Sequence, residues 1–139
     1  GFTLVEISIA IGIFGMLTAM ATLAVTRSVR AAREEALRSN LAAIRGALAA
    51  CFQDTGLYPT ELVELTLDTP MTEGWRADGN DATATASRWK GPYLRSVPLD
   101  PILNDDFEYY YNGLNGSGPA LVRSGAPGND RNGVAYASY

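Results

Sequence analysis

The sequence predicts an α+β protein in which one long N-terminal α-helix packs on a small antiparallel β-sheet head. Three features predict it. All 7 prolines lie at residue 59 or later, and of the 14 glycines only Gly1, Gly12, Gly15 and Gly46 precede residue 56. The first 55 residues therefore carry few helix breakers. An apolar stripe at helical period runs to Phe52, and short strand-like runs alternate with Gly/Asn turns after residue 106.

The helix comes first. Residues 2–54 would make about 80 Å of helix at a rise of 1.5 Å per residue. No small domain is that thick, so the helix is expected to project from its head. Its first half is apolar all round. Between Phe2 and Thr26 the only ionisable side chain is Glu6, and residues 7–25 offer only Ser8, Thr18 and Thr22 as polar points. About 20 such residues cross a bilayer. A buried core helix has the same composition, but the rest of this chain is too small to cover one on every side. Burial in a membrane or among other chains is the expectation. Gly12 and Gly15 are where this helix is weakest, by about 1 kcal/mol each relative to Ala.

From Arg27 the character changes. Arg27, Arg30, Arg33, Glu34, Glu35, Arg38 and Arg45 are charged, while Leu37, Leu41, Ile44, Leu48 and Phe52 recur at steps of four, three, four and four. That stripe is expected to lie on a sheet of the same chain, with Cys51 beside it as a small core residue. Arg27, Arg30 and Arg33 suit the interfacial end of a membrane helix. By the positive-inside rule alone they would leave the head in the cytoplasm. The expected division is an apolar membrane or filament-core helix half (1–26), an amphipathic half (27–55) and a globular α+β head (56–139).

In the head, Pro59-Thr60-Glu61 opens a short helix through Leu67, with Thr60 as its cap. Residues 72–88 are polar and small and read as a loop. Residues 107–111, 120–124 and 134–138 read as strands of an antiparallel sheet, separated by turns at 112–118 and 125–133. Alternation would place Tyr110 opposite Tyr109 and Tyr111. Asp100, Asp105, Asp106 and Glu108 read as a solvated acidic run, and the aromatics Trp75, Trp89, Tyr93 and Phe107 as packing residues.

Composition excludes several functions. Eleven positive side chains stand against 15 negative, a net of −4. Phosphate neutralisation needs a basic face, so no nucleic-acid partner is predicted. The chain has no His, which removes His triads, His metal ligands and a His pH switch. A single Cys makes neither an internal disulfide nor a zinc cluster. No Lys-bearing phosphate loop, nucleophile elbow or CxxC is present, and no enzyme is predicted. Charge is also uneven along the chain. Residues 1–45 carry five positive and three negative groups, and residues 46–139 carry six and twelve, so a basic neck joins an acidic head.

Glu6 is the most informative single residue. A carboxylate in hydrocarbon costs roughly 2.5–3.5 kcal/mol on insertion scales for the comparable Asp. Three outcomes avoid that cost: taking a proton, reaching the nearby interface, or meeting a cation. The nearest cation is an α-amino group at a chain start, its own or a neighbour's, and the positive end of the helix dipole lies there too.

Gly1-Phe2-Thr3-Leu4-Val5-Glu6, followed by the apolar run, resembles the processing site of type IV pilins and type II secretion pseudopilins. The head is similar to the major pseudopilins at Asp54-Thr55-Gly56-Leu57-Tyr58-Pro59-Thr60, at Trp89-Lys90-Gly91-Pro92-Tyr93-Leu94 and at Pro98-Leu99-Asp100-Pro101. Ser124-Gly125-Ala126-Pro127-Gly128 stands where they carry a Ser-x-Gly-Ala-Asp-Gly loop. The resemblance implies a pilin-like fold. It implies that a prepilin peptidase cleaves after Gly1 and methylates the new N-terminal Phe2. It also implies that Glu6 neutralises the N-terminal amine of an adjacent subunit during assembly. The implied partners are copies of the chain itself, the inner membrane before assembly, and an assembly platform with its ATPase. The implied location is the bacterial inner membrane, then a filament in the periplasm or on the cell surface. The resemblance thus sets the head outside the cytoplasm, against the vote of the basic neck.

The chain departs from the family in three ways. The helix lacks the family's usual mid-helix Pro, whose position is Leu23 here; any unwinding is expected between Gly12 and Thr22. One Cys forbids the C-terminal disulfide of many pilins. Major pseudopilins hold calcium in the C-terminal loop, but Pro127 replaces an Asp of that stretch. Ser124, Asn129, Asp130 and Asn132 remain, and one carboxylate is a poor complement for a cation that takes six to eight oxygens. No cofactor is therefore expected, with calcium at Ser124, Asp130 and Asn132 as the alternative.

The first expectation is a structural subunit of a type IV pilus-like filament that polymerises through its N-terminal helices. The alternative is the major pseudopilin of a type II secretion system. A reading of a different class is a membrane-anchored periplasmic binding or enzymatic domain. It predicts a monomer in detergent and a ligand-sized cleft in the head. Thr83, Thr85 and Ser87 are expected to be accessible to glycosylation.

Overall fold

The computed structural model describes residue 1, residues 3–84 and residues 88–139, except for the side chain of Leu23. Phe2, Thr85 and Ser87 lie outside the described residues. The architecture is α+β, one long helix with small antiparallel sheets in the head.

Helix α1 spans Leu4–Thr55 without a break. Thr3 and Glu6 cap its start reciprocally. The Thr3 N–H and hydroxyl donate to Glu6 Oε2 at 2.8 and 3.0 Å, and the Glu6 N–H donates to Thr3 Oγ1 at 3.3 Å. This is a capping box, and it fills donors that the first turn would otherwise leave open. The helix ends at Gly56, whose φ of 77° is the left-handed conformation that terminates helices. The Gly56 N–H closes onto the Phe52 carbonyl at 2.7 Å. The Thr55 hydroxyl donates to the Cys51 carbonyl at 2.7 Å and accepts the Leu57 N–H at 3.1 Å.

The chain forms two compact units, Gly1–Arg33 and Glu34–Tyr139. In the first, the described helical side chains stand open to solvent except Ala31, which is half-buried. In the second, the predicted stripe is the core. Leu37, Leu41, Ile44, Leu48 and Cys51 are buried together with Leu65, Phe107, Val122 and Tyr136. Phe52 is half-buried and stacks on Tyr58, ring centroids 4.4 Å apart.

Four short strands make two separate two-stranded sheets. β1 (Glu73–Trp75) pairs antiparallel with β2 (Asp81–Thr83), Gly74 facing Ala82. β3 (Glu108–Tyr110) pairs antiparallel with β4 (Leu121–Arg123), Tyr109 facing Val122. The β3–β4 pair lies inside two of the predicted strands. Alternation holds there: Tyr109 and Tyr111 line one groove, while the Tyr110 hydroxyl reaches Glu108 at 3.1 Å.

Four expectations for the head are corrected. First, the supposed loop at 72–88 contains β1 and β2. Their turn is closed by the Arg76 N–H on the Asn80 carbonyl at 2.8 Å and by Asp78 Oδ1, which accepts the Asn80 N–H at 3.0 Å. Gly79 supplies the required positive φ of 84°. Asp78-Gly79 is a hairpin signal; the strands were hidden because they are short, small and largely exposed. Second, the run 134–138 forms no third strand. Only an Asn129–Ala135 bridge exists, and Tyr136–Ser138 turns into a 3-10 helix that buries Tyr136. Third, the short helix is a 3-10 helix at Leu62–Thr66 capped by Glu61 rather than Thr60. The Glu64 carboxylate accepts the Thr60 N–H at 2.8 Å, so Thr60 contributes its backbone and not its hydroxyl. Fourth, the acidic run is only partly solvated. Asp105 and Asp106 are exposed, but Asp100 is fully buried, with the Ser124 hydroxyl donating to Oδ2 and the Ile102 N–H to Oδ1 at 2.8 Å. Glu108 pairs with Arg123 at 2.7 Å, which holds its carboxyl below the usual range.

Candidate functional site

The N-terminal unit presents its apolar side chains outward. Leu4, Ile11, Phe14, Met16 and Met20 are each at least 64% exposed. Residues of this kind normally fill a core, and here nothing in the unit covers them. Polar groups along the same segment are satisfied internally. Ser8, Thr18 and Thr22 donate their hydroxyls to the carbonyls of Leu4, Phe14 and Thr18 at 2.9, 2.7 and 2.9 Å. A helix that meets no water needs that arrangement. The result is a cylinder with apolar walls, all of its weak polar points closed on its own backbone. Among helices of the described residues, this one is long and apolar enough to cross a membrane.

Glu6 sits at the end of that cylinder with Oε2 committed to Thr3. Gly12 and Gly15 lie inside continuous helix, with no atom within 4 Å of a Cβ built on either. Such bare patches allow a second helix to approach closely. Phe2, the partner expected for Gly1 in processing and for Glu6 in assembly, lies outside the described residues.

At the other end of α1, the segments that resemble pseudopilins converge. Asp54 accepts Lys90 Nζ at 2.9 Å and the Tyr93 hydroxyl at 3.0 Å, and the Lys90 contact holds its carboxyl below the usual range. The Tyr93 and Leu94 N–H groups share the Leu65 carbonyl at 2.8 and 3.0 Å. Trp89 stands edge-on to Tyr93, centroids 4.9 Å apart. These contacts lock the 89–94 segment onto the helix end. Cys51 is buried beneath, and burial pushes its thiol up to about 11, which suits packing rather than reactivity.

Of the candidate calcium residues, Asn132 bonds Asp130, while Ser124 is engaged elsewhere. Ser124 is buried, engaged with Asp100 and with the Ala126 N–H at 3.1 Å. Asp130 is bound instead to the helix. Its Oδ2 accepts Arg38 Nη2 at 3.1 Å and the Tyr139 hydroxyl at 2.6 Å. Its Oδ1 accepts the N–H groups of Asn132 and Val134, both at 2.8 Å. The Tyr139 hydrogen bond, with the two N–H groups and Arg38, lowers its carboxyl to about 2. One turn earlier on α1, buried Glu34 Oε1 accepts the Tyr136 hydroxyl at 3.1 Å and the Arg131 N–H at 3.2 Å. Arg131 Nε lies 3.2 Å from Glu34 Oε2, an ion pair. Sequence reasoning missed this cluster. The signal was available: Glu34 precedes Leu37 by three and Leu41 by seven, so it continues the buried stripe, and a carboxylate there needs a cation.

The head also carries a groove of about 570 Å³, walled by Val97, Phe107, Tyr109 and Tyr111 with Glu61 and Asp106 at its edge. The Tyr109 hydroxyl is already donated to the Pro59 carbonyl at 2.7 Å, and burial raises it far above the usual phenol range.

Compared with known families, residues 24–135 match the model of the type II secretion system (T2SS), protein G. The chain belongs to that family. The match begins at the last two residues of the apolar run and continues through nearly all of the head, so it rests on the amphipathic helix half and the head rather than on the processing motif. No curated protein and no solved structure matches the chain. The order of the two sequence expectations is thereby reversed. The secretion pseudopilin, placed second to a pilus-like subunit, is the better-matching reading. As a member of this family the pseudopilin is a structural secretion-system subunit rather than an enzyme.

Proposed function

We propose that this pseudopilin is the repeating subunit of a type II secretion filament. Its apolar helix half (1–26) lies in the inner membrane before assembly and among like helices afterwards. The observation that carries the reading is the outward apolar wall of Leu4–Val25 on a chain of this family. Transfer from lipid to a helix bundle has little hydrophobic drive, because lipid is as apolar as Leu. Packing around Gly12 and Gly15, and pairing of Glu6, therefore have to select position and register. In this account a prepilin peptidase cleaves the Gly1–Phe2 bond, and the new amine of one subunit meets Glu6 of the next. The capping box offers a resting arrangement for Glu6: Thr3 holds the carboxylate until an amine replaces one of its bonds. A misregistered subunit would leave a carboxylate and an amine unpaired in apolar surroundings. A heterologous contact that repeats without closing then builds a helical filament. The head would lie in the periplasm, and the assembly platform and its ATPase would drive insertion of each subunit.

The test uses Glu6→Ala in the native host. The variant is expected to reach the membrane at the normal level and to leave filaments and secreted protein at a small fraction of wild type. Normal filament yield would reject the role of Glu6. Normal secretion from a strain lacking the whole chain would reject the secretion reading.

A further inference from the structure

The fold family points to a calcium ion in the C-terminal loop, and the side chains here do not fit one. Calcium needs six to eight converging oxygens with free lone pairs. The two Asp130 oxygens together accept Arg38, the Tyr139 hydroxyl, the N–H groups of Asn132 and Val134 and, at 3.4 Å, the Asn132 side-chain amide, which leaves no lone-pair position open. Ser124 Oγ is already engaged with Asp100 and with the Ala126 N–H. Among the described residues no group of three or more acidic or thiol side chains could hold a metal.

What stands there instead is a reciprocal pair of ion pairs. The helix supplies one acid and one base a turn apart, Glu34 and Arg38; the loop supplies Asp130 and Arg131. Arg38 reaches across to Asp130 at 3.1 Å, and Arg131 reaches back to Glu34 at 3.2 Å. Both acids are buried, with side-chain exposures of 0% and 2%, while the arginine side chains are 38% and 52% exposed. Two tyrosines seal the arrangement. The Tyr139 hydroxyl accepts from Arg38 at 2.6 Å and donates to Asp130 at 2.6 Å; Tyr136 donates to Glu34 at 3.1 Å. The four charges cancel. A divalent cation placed among them would have to displace donors already in place.

We propose that this pseudopilin closes its C-terminal loop with the crossed pairs Arg38–Asp130 and Arg131–Glu34 in place of a divalent cation. Folding of the head is therefore indifferent to calcium. Guanidinium groups also bind carboxylates through directional N–H donors, so the loop is fixed in orientation as well as neutralised.

The experiment uses the full chain in detergent micelles. Thermal unfolding is followed in 5 mM calcium chloride and in EGTA, and calcium binding is measured by titration calorimetry. The two melting temperatures are expected to agree within about 1 °C. Arg38→Met leaves Asp130 buried without its cation and is expected to lower the Tm by roughly 10 °C or more. A saturable calcium heat, or a Tm that rises several degrees with calcium, would overturn the proposal. So would an Arg38→Met variant that melts with wild type.

Discussion

Leu37 and Ile11 lie on the same helix, and truncating each to Ala should have opposite consequences. Leu37 is 0% exposed, in the hydrophobic core of the head, whereas Ile11 is 67% exposed. Removing a fully buried leucine side chain deletes its transfer free energy and leaves a cavity, together about 2–5 kcal/mol. For a unit of this size each kcal/mol shifts Tm by about 4–8 °C, so Leu37→Ala should lose at least about 8 °C. Ile11→Ala removes nothing packed and should change head stability by less than about 0.5 kcal/mol. In a filament the cost is inverted. If Ile11 is buried among neighbouring helices, its truncation costs a similar 2 kcal/mol or more per added subunit, roughly a 30-fold loss in the growth constant. Unfolding is read from Trp75 and Trp89 fluorescence in detergent, and filament yield from sheared material sedimented after overproduction in the host. Equal loss of Tm in both variants would refute the division of labour within α1. A wild-type filament yield from Ile11→Ala would refute it as directly.

Other expectations are narrower. Burial pushes the Cys51 thiol up to about 11, so alkylation at pH 8 should run at least about 100-fold slower in the folded chain than in guanidinium; equal rates would contradict its core placement. The Asp130 carboxyl is lowered from 3.8 to about 2, mainly by Tyr139. Its contribution is present in full above the unfolded value and is lost as pH falls through the folded one. Acid unfolding of the C-terminal loop should therefore fall between about pH 4 and pH 2, read by Tyr136 and Tyr139 absorbance, and a loop already released at pH 5 would contradict it. Among the described residues Arg38 faces this carboxylate and also lies 4.0 Å from Glu35, and the Arg131–Glu34 pair holds the same loop. A Cβ at Gly74 would meet the Tyr58 carbonyl oxygen at 2.8 Å and Leu57 Cβ at 3.0 Å, so Gly74→Ala should cost about 1–3 kcal/mol in denaturant titration. An unchanged midpoint would show that β1 shifts freely.

Much of this fold was legible in the residues because two periodicities were clean. The stripe from Leu37 to Phe52 marked the buried face of α1, and the aromatic run around Tyr109 marked β3. What was hidden has physical causes. The β1–β2 hairpin lacks apolar alternation because its residues are small and face water, and only Asp78-Gly79 betrays the turn. The run at 134–138 looks like a strand until Tyr136 is needed to bond Glu34, which lies 102 positions earlier. No local pattern encodes such a distant pair. The Thr3–Glu6 cap is the opposite case. It is written in four adjacent residues, but a glutamate in an apolar run draws attention to charge rather than to hydrogen bonding. Its capping commits Oε2, an oxygen of the carboxylate that the proposed assembly role would also need.

The most direct measurement is a cryo-electron reconstruction of the filament sheared from the native host, with mass spectrometry of the subunit's N-terminus. The account predicts a subunit that begins at methylated Phe2. It also predicts residues 4–25 packed on the same residues of neighbouring copies, with each Glu6 beside an adjacent amine. A filament held together by its heads alone, with solvent around that helix or a Glu6 that faces no amine, would contradict it.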